Sequence, residues 1–385
     1  SPLQVERWGR RGFEKKAVWV WAHAQHPQQP SGFAQYLLRT RRGRIVCVRW
    51  PQPVCRYTKC LKAVWGKGNF PCDQPRVEFW IFDWRGFEPK FNKLQSIKSN
   101  KIVIVGGSNN IHKPGGKIVK NIIDGGYQGV LNVVNPKYNN IQGLPCFSSV
   151  NDIPKTDLAI LAIPAKDCLD AITILAKKKN TKAFIIISAG FGEANTIGKR
   201  IEKKITAVIN KVNGCLIGPN CIGVINKNYK GVFTSPIPKY SPDGCDLISS
   251  SGAIAVFIME SGTQLGVKFA NVYSVGNGAQ TTIEDILEYM DLHYNPSLNS
   301  PIKLLYLETI NNPEKLLKHA SSLIKKGAKI AAIKAGSTLE GSRAATSHTG
   351  AIASSDLTVR ALFKKAGIVY CSSREDDAFT FLEIL

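Results

Sequence analysis

The stretch "KIVIVGGSNNIHKPGGKIVKNIIDGGYQGVLNVVNPK", residues 101–137, decides the fold. It opens on an unbroken apolar run, turns at two glycines, continues as the helical segment "IVKNIIDGGY" and returns to a second apolar run at "VLNVVNP". A strand with no polar alternation needs cover on both faces, and a parallel sheet flanked by helices supplies it. Three further runs keep the rhythm: "LAILAIP" (158–164), "AFIIISAG" (183–190) and "CLIGPNC" (215–221), with amphipathic segments such as "IEKKITAVINKV" between them. Ligands of such sheets bind beyond the carboxyl ends of the strands.

After the Pro/Ser/Gly-rich loop "FTSPIPKYSPDG" (233–244) the pattern restarts with "CDLISSS" (245–251), "FANVYSVGN" (269–277), "IKLLYLE" (302–308), "KIAAIKAG" (329–336) and "GIVYCSS" (367–373). Such a break is a domain boundary. We therefore expect two α/β domains in tandem, at 95–236 and 237–385, each with a parallel sheet.

Residues 1–94 differ in kind. They hold all seven Trp, and 18 Lys+Arg against 6 Asp+Glu, whereas the rest of the chain carries its excess as scattered lysines. More than half of the formal charge of +23 thus sits in a quarter of the chain, which argues against nucleic acid as the partner of the regular part. No sustained apolar period runs through "RTRRGRIVCVRWPQPVCRYTKC", and Cys47, Cys55, Cys60 and Cys72 lack the paired spacing of a zinc site. We read an atypical extension without a stable core and assign it no function. The chain has no apolar run of the ~18 residues a spanning helix needs. Without an export signal, its ten Cys read as reduced thiols of a cytoplasmic or organelle-matrix protein.

Candidate ligand contacts in the first domain lie at strand ends. Gly106, Gly107, Ser108 and Asn109 form a turn into a helix whose N-terminus offers N–H groups to phosphate, although the spacing is not G-x-G-x-x-G and a plain tight turn is the alternative. The second strand ends in Lys137 where a dinucleotide site would carry an acid, so a ribose bearing an extra phosphate fits, in NADP or in coenzyme A. The remaining ends, with Pro164 and Ala165, then Ser188, Ala189, Gly190 and Phe191, then Asn220 and Cys221, are small and donor-rich. They suit a thin pantetheine arm better than a flat nicotinamide. Cys221 reads equally as a buried cysteine.

In the second domain Ser249, Ser250, Ser251 and Gly252 lead from a strand into a helix, an anion-binding arrangement strengthened by the helix dipole. "GSRAATSHTGAIASSD" (341–356) follows a later strand and places His348 among Ser347, Thr349 and Gly350, with no carboxylate within five residues. Small neighbours leave room for three oxygens on a histidine that attacks phosphorus. A histidine in a polar loop is the plainer alternative.

Taken in order, "VGGSNN", "NPK", "IPA", "SAGF" and "GPNC" resemble the CoA-binding domain of nucleoside-diphosphate-forming acyl-CoA synthetases, and "SHTGA" resembles their phosphohistidine motif. That family includes ADP-forming acetate–CoA ligase and the succinyl-CoA synthetase alpha subunit. The resemblance spans residues 95–385 and implies a Rossmann-like CoA-binding domain followed by a flavodoxin-like ligase domain.

For the reaction, the resemblance implies that phosphate converts a short-chain acyl-CoA, acetyl-CoA by default, to an acyl phosphate and CoA. The acyl phosphate phosphorylates His348, and ADP is then phosphorylated on a separate ATP-grasp module. ADP/ATP and Mg²⁺ would be bound there, by a beta-type partner subunit, with no metal held by this chain. The resemblance further implies an acid on the helix after the Ser-Gly turn. Glu260 is the candidate, eight positions beyond Gly252, where the closer position holds Phe257. Asn277, in "VGNGAQ", is a candidate for holding substrate. The rival readings are a non-catalytic CoA-binding or regulatory subunit and an NADP-dependent oxidoreductase.

Overall fold

The computed structural model describes Leu94, residues 99–235, 237–336 and 356–371, and the backbone of three N-terminal strands. Those strands, β1 (Phe33–Arg39), β2 (Ile45–Pro51) and β3 (Phe79–Phe82), form an antiparallel sheet in the order β1-β2-β3, within a compact unit separate from Lys90–Leu385. The sequence pattern did not anticipate this sheet. The β-rich run "IVCVRW" that builds β2 is too short to register as a period across the whole segment. The side chains of Cys47, Cys55, Cys60 and Cys72 lie outside the described residues.

The first sheet of the larger unit comprises β4 (Lys101–Val105), β5 (Val130–Val134), β6 (Asn140–Ile141), β7 (Leu144–Phe147), β8 (Leu158–Leu161), β9 (Ala183–Ile186) and β10 (Cys215–Ile217), in the order β10-β9-β8-β4-β5-β7-β6. All pairings are parallel except the short β6–β7 hairpin. Alternation within the apolar runs is structural even though it is invisible in polarity. Ile102, Ile104, Ile160 and Ile185 enter one core, and Val103, Val105, Leu161 and Ile186 enter another on the opposite face. Helix α1 (Pro114–Asp124) covers the first face through Ile118, Val119 and Ile122, while α2 (Ala165–Lys178) and α3 (Thr196–Lys211) cover the second. With β7 counted as third, the order is the 3-2-1-4-5-6 of doubly wound dinucleotide-type sheets, and its switch point falls between β4 and β8.

The second sheet runs β12-β11-β14-β13-β15-β16-β17, from β11 (Gly223–Ile225), β12 (Lys230–Val232), β13 (Tyr240–Ser249), β14 (Phe269–Ser274), β15 (Ile302–Leu307), β16 (Lys329–Lys334) and β17 (Val369–Cys371). Its helices are α4 (Gly252–Gln264), α5 (Ile283–Leu292), α6 (Pro313–Lys325) and α7 (Asp356–Ala366). The five parallel strands β14-β13-β15-β16-β17 follow the flavodoxin order 2-1-3-4-5, with the switch point between β13 and β15. The β11–β12 hairpin pairs antiparallel with β14 and so belongs to this sheet, although the sequence assigned residues through 236 to the first domain. Ile225 and Val232 bury in the core on one face of the second sheet, while Val224 belongs to the core that the two sheets share. No helix of the described residues is long and apolar enough to cross a membrane.

Beneath the second sheet, at the edge away from the strand ends that matter below, Lys303 Nζ lies 2.6 Å from Asp246 Oδ2, with both side chains almost wholly buried. Asn271 Nδ2 donates to the other carboxylate oxygen at 2.6 Å, and Lys303 also donates to the Ser300 carbonyl. Removing one partner of such a pair strands the other charge. Lys303→Met should therefore lower unfolding free energy by about 3–5 kcal/mol, read from the urea midpoint at unchanged slope. A loss within ~0.5 kcal/mol, the size typical of surface changes, would contradict the account.

Candidate functional site

The first sheet's switch point is built by glycine. Gly106 has φ +89°, and a Cβ there would stand 2.5 Å from the Ala162 carbonyl oxygen. A Cβ on Gly115 would meet Gly106 O at 2.0 Å, and one on Gly116 would meet Asn110 O at 2.1 Å, so loop 106–110 lies directly over the start of α1. That helix has Lys113 at its N-cap and no side-chain cap, which leaves N–H donors of the first turn for an anion. Side chains pin the loop from outside. Gln142 Nε2 donates to Ser108 O at 2.9 Å and to Gly116 O at 2.8 Å, and Asn109 bonds Asn140 O and the Gln142 N–H. Asn135 donates to Gly107 O at 2.7 Å and accepts from the Lys137 N–H at 3.0 Å, which joins the glycine turn to the exposed Lys137.

Further along the same edge, α2 also begins without a side-chain cap, after Pro164 and at Ala165. Ser188 Oγ donates to Ile163 O at 2.5 Å and ties the third and fourth strand ends together. Ala189 and Gly190 are exposed; Phe191 and Cys221 are 0% and 3% exposed, so a ligand would meet their backbone rather than their side chains. Two of the donors expected at 188–191 are already engaged: the N–H groups of Gly190 and Phe191 bond Glu193 Oε1 at 2.6 and 3.2 Å.

The second sheet's switch point is the Ser turn. Ser249 is buried, and its Oγ donates to Ser251 O at 2.7 Å and accepts from Ser251 N at 3.2 Å. Ser250 N donates to Tyr306 O at 2.9 Å, and Ser251 caps α4 by accepting from Ile254 N at 3.4 Å. A Cβ on Gly252 would stand 2.7 Å from Ile222 Cγ2. The Ser turn of the second sheet thus abuts the segment that follows "GPNC" in the first. An ion at α4's N-terminus and a ligand laid along the first sheet's strand ends would meet at this seam.

The comparisons with known proteins agree with this architecture. A CoA binding domain matches residues 100–227, and a succinyl-CoA ligase like flavodoxin domain matches 242–385. The ADP-forming acetate–CoA ligase I of Archaeoglobus fulgidus is 33% identical over 278 residues, covering 71% of this chain and 39% of that protein. The alpha subunit of the ADP-forming acetate–CoA ligase II of Pyrococcus furiosus is 34% identical over 280 residues, covering 71% of this chain and 59% of that protein. The structure of the dinucleotide-forming acetyl-coenzyme A synthetase 1 of Ca. Korarchaeum cryptofilum, in complex with phosphate and ADP, aligns with a TM-score of 0.68 at 28% identity over 74% of this chain and 61% of that one. The chain belongs to the nucleoside-diphosphate-forming acyl-CoA synthetase family. It spans between about two fifths and three fifths of the length of these relatives.

Glu260 lies eight residues beyond Gly252 on α4, a rise of about 12 Å along the helix axis. Glu308, just past the end of β15, has its N–H 3.5 Å from Ser250 Oγ. Sequence reading quoted this residue as the last of "IKLLYLE" without weighing it. The usable signal was its place at a strand end beside the switch point. At the neighbouring strand's end, burial pushes the Lys334 ammonium below its ordinary value against the opposing pull of Glu308 and Asp356. His348, Ser347, Thr349 and Gly350 lie outside the described residues.

Cys221 is a packing residue here. Its Sγ donates to Ile186 O at 3.3 Å, and burial pushes the thiol up to about 12. Only the thiolate alkylates readily. At pH 8 the native protein should leave Cys221 unmodified by iodoacetamide while the urea-unfolded chain reacts fully, as read by peptide mass mapping. Native labelling at Cys221 as fast as that of an exposed thiol would refute the burial argument.

Proposed function

We propose that this chain is the alpha-type part of an ADP-forming acyl-CoA synthetase, with acetyl-CoA as the default acyl substrate. One observation carries the reading: the Ser249–Gly252 turn at the second sheet's switch point stands against Ile222, the residue that follows "GPNC" at a strand end of the sheet that would hold CoA. The nucleotide of CoA would lie over the 106–109 loop with its 3′-phosphate toward Lys137. The arm would run past 164–165 and 188–190 to Asn220.

Phosphate held by the Gly252 and Ala253 N–H groups at the start of α4 and by the Ser250 and Ser251 hydroxyls attacks the thioester carbonyl carbon. A C–O bond forms, the C–S bond breaks, and CoA leaves as thiolate, giving an acyl phosphate. An imidazole nitrogen of His348 then attacks the phosphorus, the P–O bond to the acyl group breaks, and the carboxylate departs. The anionic phosphohistidine is stabilised by the dipole of α4 and by N–H donors from the 347–350 segment. Glu308, whose backbone N–H lies 3.5 Å from Ser250 Oγ, is the carboxylate assigned here to orient the ring, with Glu260 on α4 as the alternative. ADP receives the phosphoryl group on an ATP-grasp partner, which also supplies Mg²⁺. The reversible sequence makes acyl-CoA when run from ATP.

Incubation with acetyl-CoA and radiolabelled phosphate, without nucleotide, should leave an acid-labile, base-stable label on the protein. His348→Asn should abolish it. Glu308→Gln should cut its rate roughly 10- to 100-fold, the usual cost of removing a carboxylate partner from a working histidine, and Glu260→Gln should leave it unchanged. A chain that binds acetyl-CoA but never gains label is a binder, and the reading fails. Full labelling in Glu308→Gln together with loss in Glu260→Gln would return the orienting role to the helix.

A further inference from the structure

Between the two sheets lies a pair of carboxylates that the reaction above does not use. Glu193, in the loop after β9, accepts from the Gly190 and Phe191 N–H groups through Oε1 and from Asn277 Nδ2 through Oε2 at 2.5 Å. Glu202, on α3, accepts from the same Asn277 nitrogen at 3.1 Å and from Gly192 N at 3.3 Å. Asn277 belongs to the loop after β14, so these bonds cross from one sheet's loops to the other's.

An asparagine amide can turn over end for end, and its neighbours decide which way it stands. Two carboxylates beside one end of the Asn277 amide leave no choice. Turned over, the amide would present its carbonyl oxygen to two acceptor-only groups. Its NH₂ must therefore face the glutamates and its Oδ1 must face away, toward Asn220 Nδ2 at 3.5 Å. That contact is at the limit of a hydrogen bond, so Oδ1 keeps acceptor capacity. The donors of Asn277 are consumed internally and its acceptor is left facing Asn220. An anionic substrate oxygen gains nothing from that end of Asn277, whereas an amide N–H does. The arm of CoA carries two secondary amides.

We propose that Glu193 is a positioning residue that, with Glu202, fixes the Asn277 amide so that its carbonyl oxygen accepts an N–H of the pantetheine arm. The inference rests on CoA lying along the strand ends, as proposed above. It specifies the part of the substrate that Asn277 would hold, the arm. It gives Glu193 a part in recognition without any contact to the ligand.

The test compares CoA with adenosine 3′,5′-bisphosphate, which keeps the nucleotide end and lacks the arm, by calorimetric titration of the whole chain. Glu193→Gln can donate as well as accept, so only Glu202 is left to hold the NH₂ of Asn277 and the amide is fixed more weakly. The variant should bind CoA roughly 5-fold more weakly, the fold-change of one lost neutral hydrogen bond, with unchanged affinity for the bisphosphate. Asn277→Ala should show the same selective loss, and the double variant should lose no more than either single one. Equal losses for both ligands would mean that Glu193 merely supports the fold, and additive losses would mean that it does not act through Asn277; either overturns the proposal. Absence of CoA binding by the parent chain would overturn the reading of the first sheet as well, and so is distinguishable from failure of this inference alone.

Discussion

The site depends on one contact: the docking of residues 274–281, from the second sheet, onto the exposed edge of the first. β10 is an edge strand, and an edge strand presents unpaired N–H and C=O groups. Gln280 answers them, accepting from Leu216 N at 2.6 Å and donating to Gly214 O at 3.2 Å and to Asn210 Oδ1 at 2.7 Å. Backbone bonds continue the line, from Ala279 N to Gly218 O and from Asn277 N to Pro219 O at 2.9 Å. Gly276 is needed for so close an approach, since its φ is +55° and a Cβ would stand 2.2 Å from the Pro219 carbonyl oxygen. Ser274 Oγ accepts from Ile222 N at 3.2 Å and carries the contact to the segment that touches Gly252. The same bonds that cover an edge therefore set the distance between two switch points.

Each switch point contributes a different kind of group. The first sheet offers loop backbone over uncapped helix starts, suited to a long ligand with phosphates at one end. The second offers a single capped and tightly wound turn, suited to one compact anion. Neither does chemistry by itself. The seam between them is lined by groups whose polarity is fixed by their partners. Burial acts to raise the Glu193 carboxyl, yet the amide of Asn277 and the N–H groups of Gly190 and Phe191 hold it below the ordinary glutamate value, so it stays an acceptor at neutral pH. The order in the seam is electrostatic as much as steric.

How much of this could be read in the sequence follows from what sequence patterns encode. The apolar runs 101–105, 158–161 and 302–307 named their strands because a doubly covered strand has few acceptable residues, and the glycines at 106, 115, 116 and 252 stand where the structure has room for nothing larger. The β11–β12 hairpin is absent from the strands read in the sequence because its pairing with β14 joins segments more than forty residues apart and leaves no local trace. Glu193 and Glu202 were passed over for a related reason. Alone, each is an ordinary loop or helix acid, and only the arrival of Asn277 from a distant strand end makes them a pair.

The contrast between Glu260 and Glu308 states the same lesson in distances. Counting along a helix from its first residue moves a side chain away from the N-terminus by 1.5 Å per step, so an acid eight residues on has risen about 12 Å whatever face it occupies. Counting along the sheet's edge behaves differently. Strand ends three elements apart in sequence can be neighbours 4.8 Å apart, as Ser249 and Tyr306 are in register across β13 and β15. The acid proposed for the Ser turn is therefore taken from the end of the adjoining strand. Glu308 is two residues beyond the partner of Ser249, on the strand between the one that makes the turn and β16, which precedes the His348 segment in the chain.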